Sequence, residues 1–547
     1  MKKTIILMLA ALACSAAVMA QNLDPTVEVS REYEGKLIEV HKPAIQMAVP
    51  DTLYRFDLSF DYSVFDNPYK GAYEFNPYIL EMKPASSVSD GNDFYLRAGA
   101  GYTLHPFLDM LWSPVNASGF DVNVYAMHRS YIGEYRGLNR DVWKGYDMFS
   151  KAGADFSYDW KKTSLDFGAA YYGIHDKDYR RSRGFNALDV YAGLKSDGLR
   201  KQGPVYDARV SYRFAQDDCP ALSALSLSAH EADLDFQVRP AFAFKGEMVF
   251  DFGAGLDAYK GAIAATAGSF NLTPRYVYKK GRLGLDCGLR ISAVFASGDI
   301  WLSKKQQYIY PDLMAELAVI PEAMKLYAHI GGGERFNNYS SLLAGNHHLD
   351  LSYSIAQKHF LMDVTVENIA ATIGVEGRIT NFFSYHLKGG YRRLNNDLLD
   401  VAVPGADNIY MPAVAYSSYQ NFFASLDWNL TLTSMKFIGN IEYTNVWGLR
   451  SDNIVAPAPL KGEVSLEYDW MKRINVGADC QFALSRSARN GFVVPSYADL
   501  GIYAEYAVNR KLSLWIRGGN LLNMEIQKNL LYAEKGINFT AGVCLTF

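Results

Sequence analysis

The chain has 547 residues, with 54 Lys plus Arg against 58 Asp plus Glu and a formal net charge of −4, so no basic excess marks a nucleic-acid binder. Aromatic residues make up 14% of it, with 38 tyrosines and 30 phenylalanines, more than a soluble enzyme ordinarily carries. Mean hydropathy is −0.10. Beyond the N-terminus no apolar run approaches the ~18 residues of a membrane helix, which excludes a helical membrane bundle.

The first element is Met1-Lys2-Lys3, a short basic stretch, followed by apolar Ile5 to Val18 and by Val18-Met19-Ala20 before Gln21. These are the parts of a secretory signal peptide, residues 1–20, cleaved after Ala20 and too short for a membrane span. Lipidation at Cys14 is the competing reading, but Ala11 stands where that signal usually has leucine. Residues 21–91 come next. Asp24 to Val40 is charged and lacks long alternation, and Pro43, Pro50, Pro68, Pro77 and Pro84 punctuate the rest of the segment. Phe56 to Tyr62 alternates briefly. This segment is expected to be partly extended and to precede the main fold.

From about residue 93 onward, segments alternate with a period of two, the mark of strands with two different environments. In 163–173, Leu165, Phe167, Ala169 and Tyr171 oppose Asp166, Gly168, Ala170 and Tyr172. In 282–292, Leu283, Leu285, Cys287, Leu289 and Ile291 oppose Gly284, Asp286, Gly288 and Arg290. In 370–392, Ile373, Val375, Ile379, Tyr385, Leu387 and Tyr391 oppose Glu376, Arg378, His386, Lys388 and Arg392. In 462–470, Val464, Leu466, Tyr468 and Trp470 oppose Glu463, Glu467 and Asp469. Charges at every second position, between Val, Leu and Tyr, fit lipid on one face and water on the other.

Connections sharpen this. Short ones fall near residues 161, 245, 281, 321, 381, 434, 472 and 509. Long ones alternate with them, near 130–148, 215–231, 258–269, 294–307, 333–366, 394–417, 448–458, 486–496 and 519–533. Tight turns at one end and long loops at the other describe an all-β fold, a transmembrane antiparallel β-barrel over residues 92–547. About 22 strands are expected, within two to four, with residues 21–91 as a periplasmic or lumenal pre-barrel segment.

The chain closes on Gly536 to Phe547. Ile537, Phe539, Ala541, Val543, Leu545 and Phe547 share one strand face; Asn538, Thr540, Gly542, Cys544 and Thr546 share the other. An amphipathic last strand with a final aromatic resembles the closing strand of bacterial outer-membrane barrels. That resemblance makes Phe539, Val543, Leu545 and Phe547 an assembly signal read by the barrel assembly machinery.

Gly519-Asn520-Leu521-Leu522-Asn523, then Tyr532, Gly536-Ile537-Asn538-Phe539 and Phe547 resemble the C-terminal pattern of TonB-dependent outer-membrane receptors. The Ala-Gln cleavage site and tyrosine-rich strands look like Bacteroidota envelope proteins. Receptors of this group hold a plug domain of well over a hundred residues, and about 70 precede the first strand here, so a full plug is not expected. Thr26-Val27-Glu28-Val29 faintly resembles the group's energy-coupling box, but a short alternating patch in a disordered tail is the better reading.

The resemblance implies uptake of a nutrient or other ligand across the outer membrane, with both termini periplasmic. The implied partners are outer-membrane lipid, the assembly machinery, and TonB or a surface lipoprotein. No enzyme activity, cofactor or nucleic-acid partner is implied. The alternative is a structural or accessory barrel subunit of an envelope complex, its pore filled by a partner.

Chemistry within the strands is sparse. His128 and Ser130 share a strand face in a spacing that outer-membrane phospholipases use, but Tyr131-Ile132 follow where those have Asn-Gly, and polar residues at a loop edge are the better reading. His347-His348 are adjacent and point apart on extended backbone, so they make no ready metal site. Gly331-Gly332-Gly333 lacks the lysine and helix of a phosphate loop and is expected to let a strand turn into a loop. Cys219, Cys287, Cys480 and Cys544 match no zinc spacing; Cys287 and Cys480 face outward, Cys544 inward, and Cys219 falls in a loop. The candidate ligand-facing set is the inward charges Arg378, Lys388, Arg392, Asp427, Glu442, Glu463, Glu467, Asp469, Asp479 and Glu505. A solvated wall held rigid by opposite charges is the plainer reading of the same set.

Overall fold

The structure, a computed structural model, describes residues 93–547 except 103, 115–118, 137–141, 161, 178–181, 197–203, 219–225, 241–244, 262, 299–304, 322, 347–361 and 405–409. The signal peptide with Cys14, residues 21–91 with the Thr26–Val29 patch, Cys219 and His347-His348 lie outside the described residues.

The strands in chain order begin with β1 (Phe94–Tyr102), β2 (Phe107–Trp112), β3 (Phe120–Arg136), β4 (Val142–Trp160), β5 (Thr163–Lys177) and β6 (Ser182–Ser196). Then come β7 (Val205–Asp218), β8 (Leu227–Arg239), β9 (Glu247–Gly261), β10 (Ala265–Lys280), β11 (Leu283–Ser297), β12 (Lys305–Ile320) and β13 (Met324–Asn337). About two turns of helix, α1 (Tyr339–Gly345), lead to β14 (Asp363–Ile379), β15 (Phe383–Pro404), β16 (Tyr410–Thr431), β17 (Met435–Trp447), β18 (Leu460–Trp470) and β19 (Ile474–Ala483). A small hairpin, β20 (Arg486–Ser487) and β21 (Val493–Val494), precedes β22 (Tyr497–Ala507), β23 (Leu512–Gly519) and β24 (Asn538–Thr546). All except β20 and β21 form one 22-stranded sheet of sequential antiparallel neighbours. It closes where β1 pairs with β24, from Tyr95 opposite Thr546 to Tyr102 opposite Phe539. Closure leaves no free edge, which is what lets a sheet span a membrane.

The two faces are as the alternation indicates. Ile373, Ile379 and Leu387 are 69%, 52% and 50% exposed, a level that for aliphatic side chains on one continuous wall means lipid contact. Trp112, Trp160, Phe382, Trp470, Tyr506 and Phe547 are exposed at the end that carries the tight turns, where they form an interfacial girdle. Those turns are short because their residues accept left-handed backbone. Gly281 has φ 58°, and Met471 and Lys472 have φ 55° and 56°.

At the opposite end the structure corrects several loop expectations. β15 and β16 run far into the expected 394–417 loop, and β9 and β10 into the expected 258–269 loop. β3 and β4, β7 and β8, and β11 and β12 likewise shorten theirs. Above the lipid a strand has water on both sides. The polar/apolar contrast fades there while the backbone ladder continues.

Buried apolar side chains gather at this loop end rather than in a central core. One cluster joins Ile174, Phe185, Ala215, Leu227, Tyr259 and Ala267 of β5–β10 to Tyr339, Leu342 and Leu343 of α1 and to Met362. Full burial of each large member is worth about 1.5–3 kcal/mol. A second cluster joins Ala402, Val455, Ala488, Phe492, Val494 and Leu530, so the loop end of β15 and the loops after β17, β19 and β23 pack on one another. Backbone bonds brace them: Ala402 N donates to Asn453 O (3.1 Å) and Val455 N to Asp400 O (2.9 Å).

Candidate functional site

Strand register assembles the lumenal groups. Lys325, Glu376, His386, Asp427, Asn440 and Glu463 stand opposite one another on six consecutive strands, β13 to β18. Lys325 Nζ lies 2.7 Å from Glu376 and 3.3 Å from Glu316. The His386 ring lies 3.9 Å from Glu376 and 3.6 Å from Asp427, and its Nε2 is 2.7 Å from Tyr327 Oη. Asn440 donates to Asp427. This row, with Arg378, lines a cavity of about 840 Å³ near the turn end.

A second cavity of about 560 Å³ adjoins it, lined by Arg97, Glu467, Asp479, Asp499, Glu505 and Arg517 among others. Glu463 and Ser465 line both cavities, so the polar surface is continuous from β13 to β1. Arg517 bonds Asp479 at 3.0 Å, and Lys528 lies 3.5 Å from Asp499. Ser513 donates to Glu505, and Arg97 sits 4.5 Å over the Trp515 ring. Solvated pairs of this kind contribute about 0–1 kcal/mol each. Their effect is to fix side-chain positions along a wet wall.

Of the sequence-derived set, Arg378, Asp427 and Glu463 line the first cavity. Glu463, Glu467, Asp479 and Glu505 line the second. Lys388, Arg392, Glu442 and Asp469 line neither. Lys388 stands between Gly374 and Ser425. Arg392 pairs with Glu367 (3.4 Å) and lies 4.0 Å over Phe423. Glu442 pairs with Lys461 (3.3 Å), and Asp469 stands opposite Asn475 at the turn end. The set omits Lys325, Arg97, Asp499 and Arg517, and it leaves out His386 although alternation gives that residue the correct face. Period-two counting gives the face of a residue but not its neighbours on other strands.

The remaining motifs settle into structural roles. His128 Nε2 is 3.1 Å from Ser130 Oγ and its Nδ1 is 2.9 Å from Ser150 Oγ, but Ser130 is only 5% exposed and also reaches Pro106 O at 3.4 Å. It is a satisfied polar cluster where β2 begins. Gly331-Gly332-Gly333 does not end β13, contrary to expectation; the register shifts there and the strand continues to Asn337. A Cβ on Gly332 would stand 2.7 Å from the Tyr310 ring and 2.8 Å from Glu367 O, so the bulge needs glycine. Cys287 is exposed, Cys480 half-buried and Cys544 buried, all three free. Among the described residues no group of three or more His, Cys, Asp or Glu is placed to hold a metal ion.

The Asn520–Asn523 turn has a mechanical basis. Asn520 is 3% exposed with φ 45°, a left-handed conformation that asparagine tolerates. Its Nδ2 donates to Met524 O (2.8 Å) and Lys535 O (3.0 Å), and its Oδ1 accepts from Met524 N (3.0 Å). Asn523 Oδ1 accepts from Ile537 N at 3.2 Å. One asparagine thus ties both ends of the loop after β23. That loop carries Lys535 over the Tyr131 ring at 5.0 Å, where burial pulls the ammonium below its ordinary pKa. Asn520→Ala is expected to loosen the loop by about 2–3 kcal/mol, one per lost bond. Limited proteolysis should then nick residues 520–537 faster while the barrel keeps its gel mobility. Unchanged protection would refute the tie.

No protein-family model matches the sequence, and no curated protein does. Solved structures do. The Copper transporter OprC aligns with TM-score 0.60 at 13% identity, covering 84% of this chain and 80% of that one. The ferric-catecholate import receptor Fiu from K12 E. coli aligns with TM-score 0.63 at 9% identity, over 84% and 82%. The FrpB iron transporter from Neisseria meningitidis aligns with TM-score 0.64 at 9% identity, over 84% and 82%. The likeness is one of fold: this chain is a closed 22-strand antiparallel β-barrel, the fold it shares with these three proteins.

Proposed function

We propose that this chain is an outer-membrane uptake barrel that passes a nutrient or other polar ligand along its charged lumenal wall. The turn end and both termini face the periplasm and the long loops face outward. The observation that carries this reading is the continuous polar lining, shared at Glu463 and Ser465, inside a closed transmembrane barrel. Arg378, Asp427, Glu463, Glu467, Asp479 and Glu505 form the ligand path. Lys388, Arg392, Glu442 and Asp469 continue the charged wall beside it. The neighbours in fold are named for transport or import, which supports transport as the class without fixing the cargo. A barrel of this size leaks unless its lumen is filled, so residues 21–91, TonB and a surface lipoprotein enter as gating or energising partners.

The test is conductance of the purified chain in planar bilayers, with and without residues 21–91. A large conductance on deletion alone supports a self-gated transporter. A pore open in both forms contradicts self-gating and indicates a plain porin or a partner-filled barrel. No conductance in either form, with a protein that co-purifies stably, overturns uptake in favour of a structural subunit.

A further inference from the structure

The position of α1 is difficult to reconcile with an evenly open mouth. Asp217 is the last residue but one of β7 and Tyr339 follows β13, six strand positions further round the wall. Six spacings of ~4.8 Å make ~29 Å along the wall. From Asn337, the last residue of β13, two residues span only ~7 Å of backbone, yet the Tyr339 hydroxyl donates to Asp217. The loop ends of the two walls therefore lean toward each other, and α1 fastens them.

The fastening is specific. Tyr339 N donates to Tyr259 Oη of β9 (3.2 Å), and Ser340 N donates to Glu231 Oε1 of β8 (3.1 Å). The Tyr339 ring stands 6.2 Å from Phe185 of β6. Arg183 of β6 lies 3.5 Å from Asp217, both side chains being wholly buried. Asn338 caps the helix through Ser341 N (2.9 Å). Leu342 and Leu343 complete the contact inside the β5–β10 cluster. An adventitious loop contact would not bury Asp217, Glu231 and Arg183 together at 0%, 3% and 2% exposure with polar partners.

We propose that α1 is an intramolecular latch that narrows the loop-end mouth by binding the β13–β14 wall to the β6–β9 wall. The latch sits in this chain's own barrel and needs no second protein. It requires only a water-filled lumen, so it stands whether or not the uptake reading holds.

The experiment compares unitary conductance in planar bilayers for the full chain, and for the chain lacking residues 21–91, each with and without Tyr339→Phe or Leu343→Asp. Heat-modifiable mobility confirms that each barrel is folded. Leu343→Asp is expected to raise conductance at least two-fold, and Tyr339→Phe by less. As a second measurement, Leu343→Cys is placed in a background whose other cysteines are replaced by serine. It should react slowly with a membrane-impermeant maleimide, and at least ten-fold faster once Tyr339→Ala is added. Equal conductance of folded Leu343→Asp and its parent, or rapid labelling without the second change, would overturn the latch. Neither result would bear on whether a ligand is imported.

Discussion

Arg183→Met is expected to be the most damaging single substitution in the barrel wall, costing about 3–5 kcal/mol. Arg183 and Asp217 have no exposed side-chain surface. Removing the cation takes a guanidinium from beside a wholly buried carboxylate, which keeps the Tyr339 hydroxyl as a neutral donor. A neutral hydroxyl does not replace a guanidinium charge. Urea titration of the protein in detergent, followed by heat-modifiable mobility, should show a clearly lower midpoint. The double variant Arg183→Met/Asp217→Asn should recover part of the loss, because the buried carboxylate charge goes with the cation. A midpoint for Arg183→Met that matches wild type would show that the pair carries no stability.

Deleting Phe547 is expected to lower the amount of inserted barrel several-fold. Phe547 N donates to Phe94 O (2.9 Å) and Phe94 N to Phe547 O (3.0 Å), the terminal bonds of the closing seam. The Phe547 ring lies 6.1 Å from the Phe94 ring and beneath Lys511 Nζ at 5.4 Å. β1 and β24 are nine residues each, so the seam has few bonds to spare. In lipid an unpaired backbone group has no water to turn to. Phe547→Ala separates the two contributions. It keeps the backbone bonds, so it should insert normally if the seam matters, and fail like the deletion if the assembly machinery reads the ring. Normal insertion of the deletion variant would remove Phe547 from both roles.

The lipid-facing wall is legible in the sequence because lipid and water are such different solvents. Alternation places Phe167, Leu283, Leu289, Ile291, Ile373, Leu466 and Trp470 outward, and all are exposed on the outer face. The same physics hides the upper strands. In β15 and β16 the segments near Val401 and Ala413 meet water and other loops, so no alternation marks them as strand. The site is legible only as a set of inward charges. Which of them meet depends on register between strands far apart in sequence: Lys325, Glu376, His386 and Asp427 become neighbours through three separate pairings. The Tyr339–Asp217 contact spans 122 residues and leaves no local trace at all. Asn520 stands out in the sequence through resemblance alone, and its reason is the pair of carbonyls it holds.

The braced loops have a consequence for how this molecule can change over generations. Val401, at the loop end of β15, bridges Ile454 in the loop after β17, and Asn490 N donates to Asp452 O at 2.9 Å, tying in the β20–β21 hairpin. An insertion in any one of these loops shifts the partners of the others. Side chains on their outer surface can be exchanged freely, but lengths must be inherited together. A lineage under pressure to disguise this surface would therefore vary its residues at constant spacing, or replace the whole braced group in one recombination.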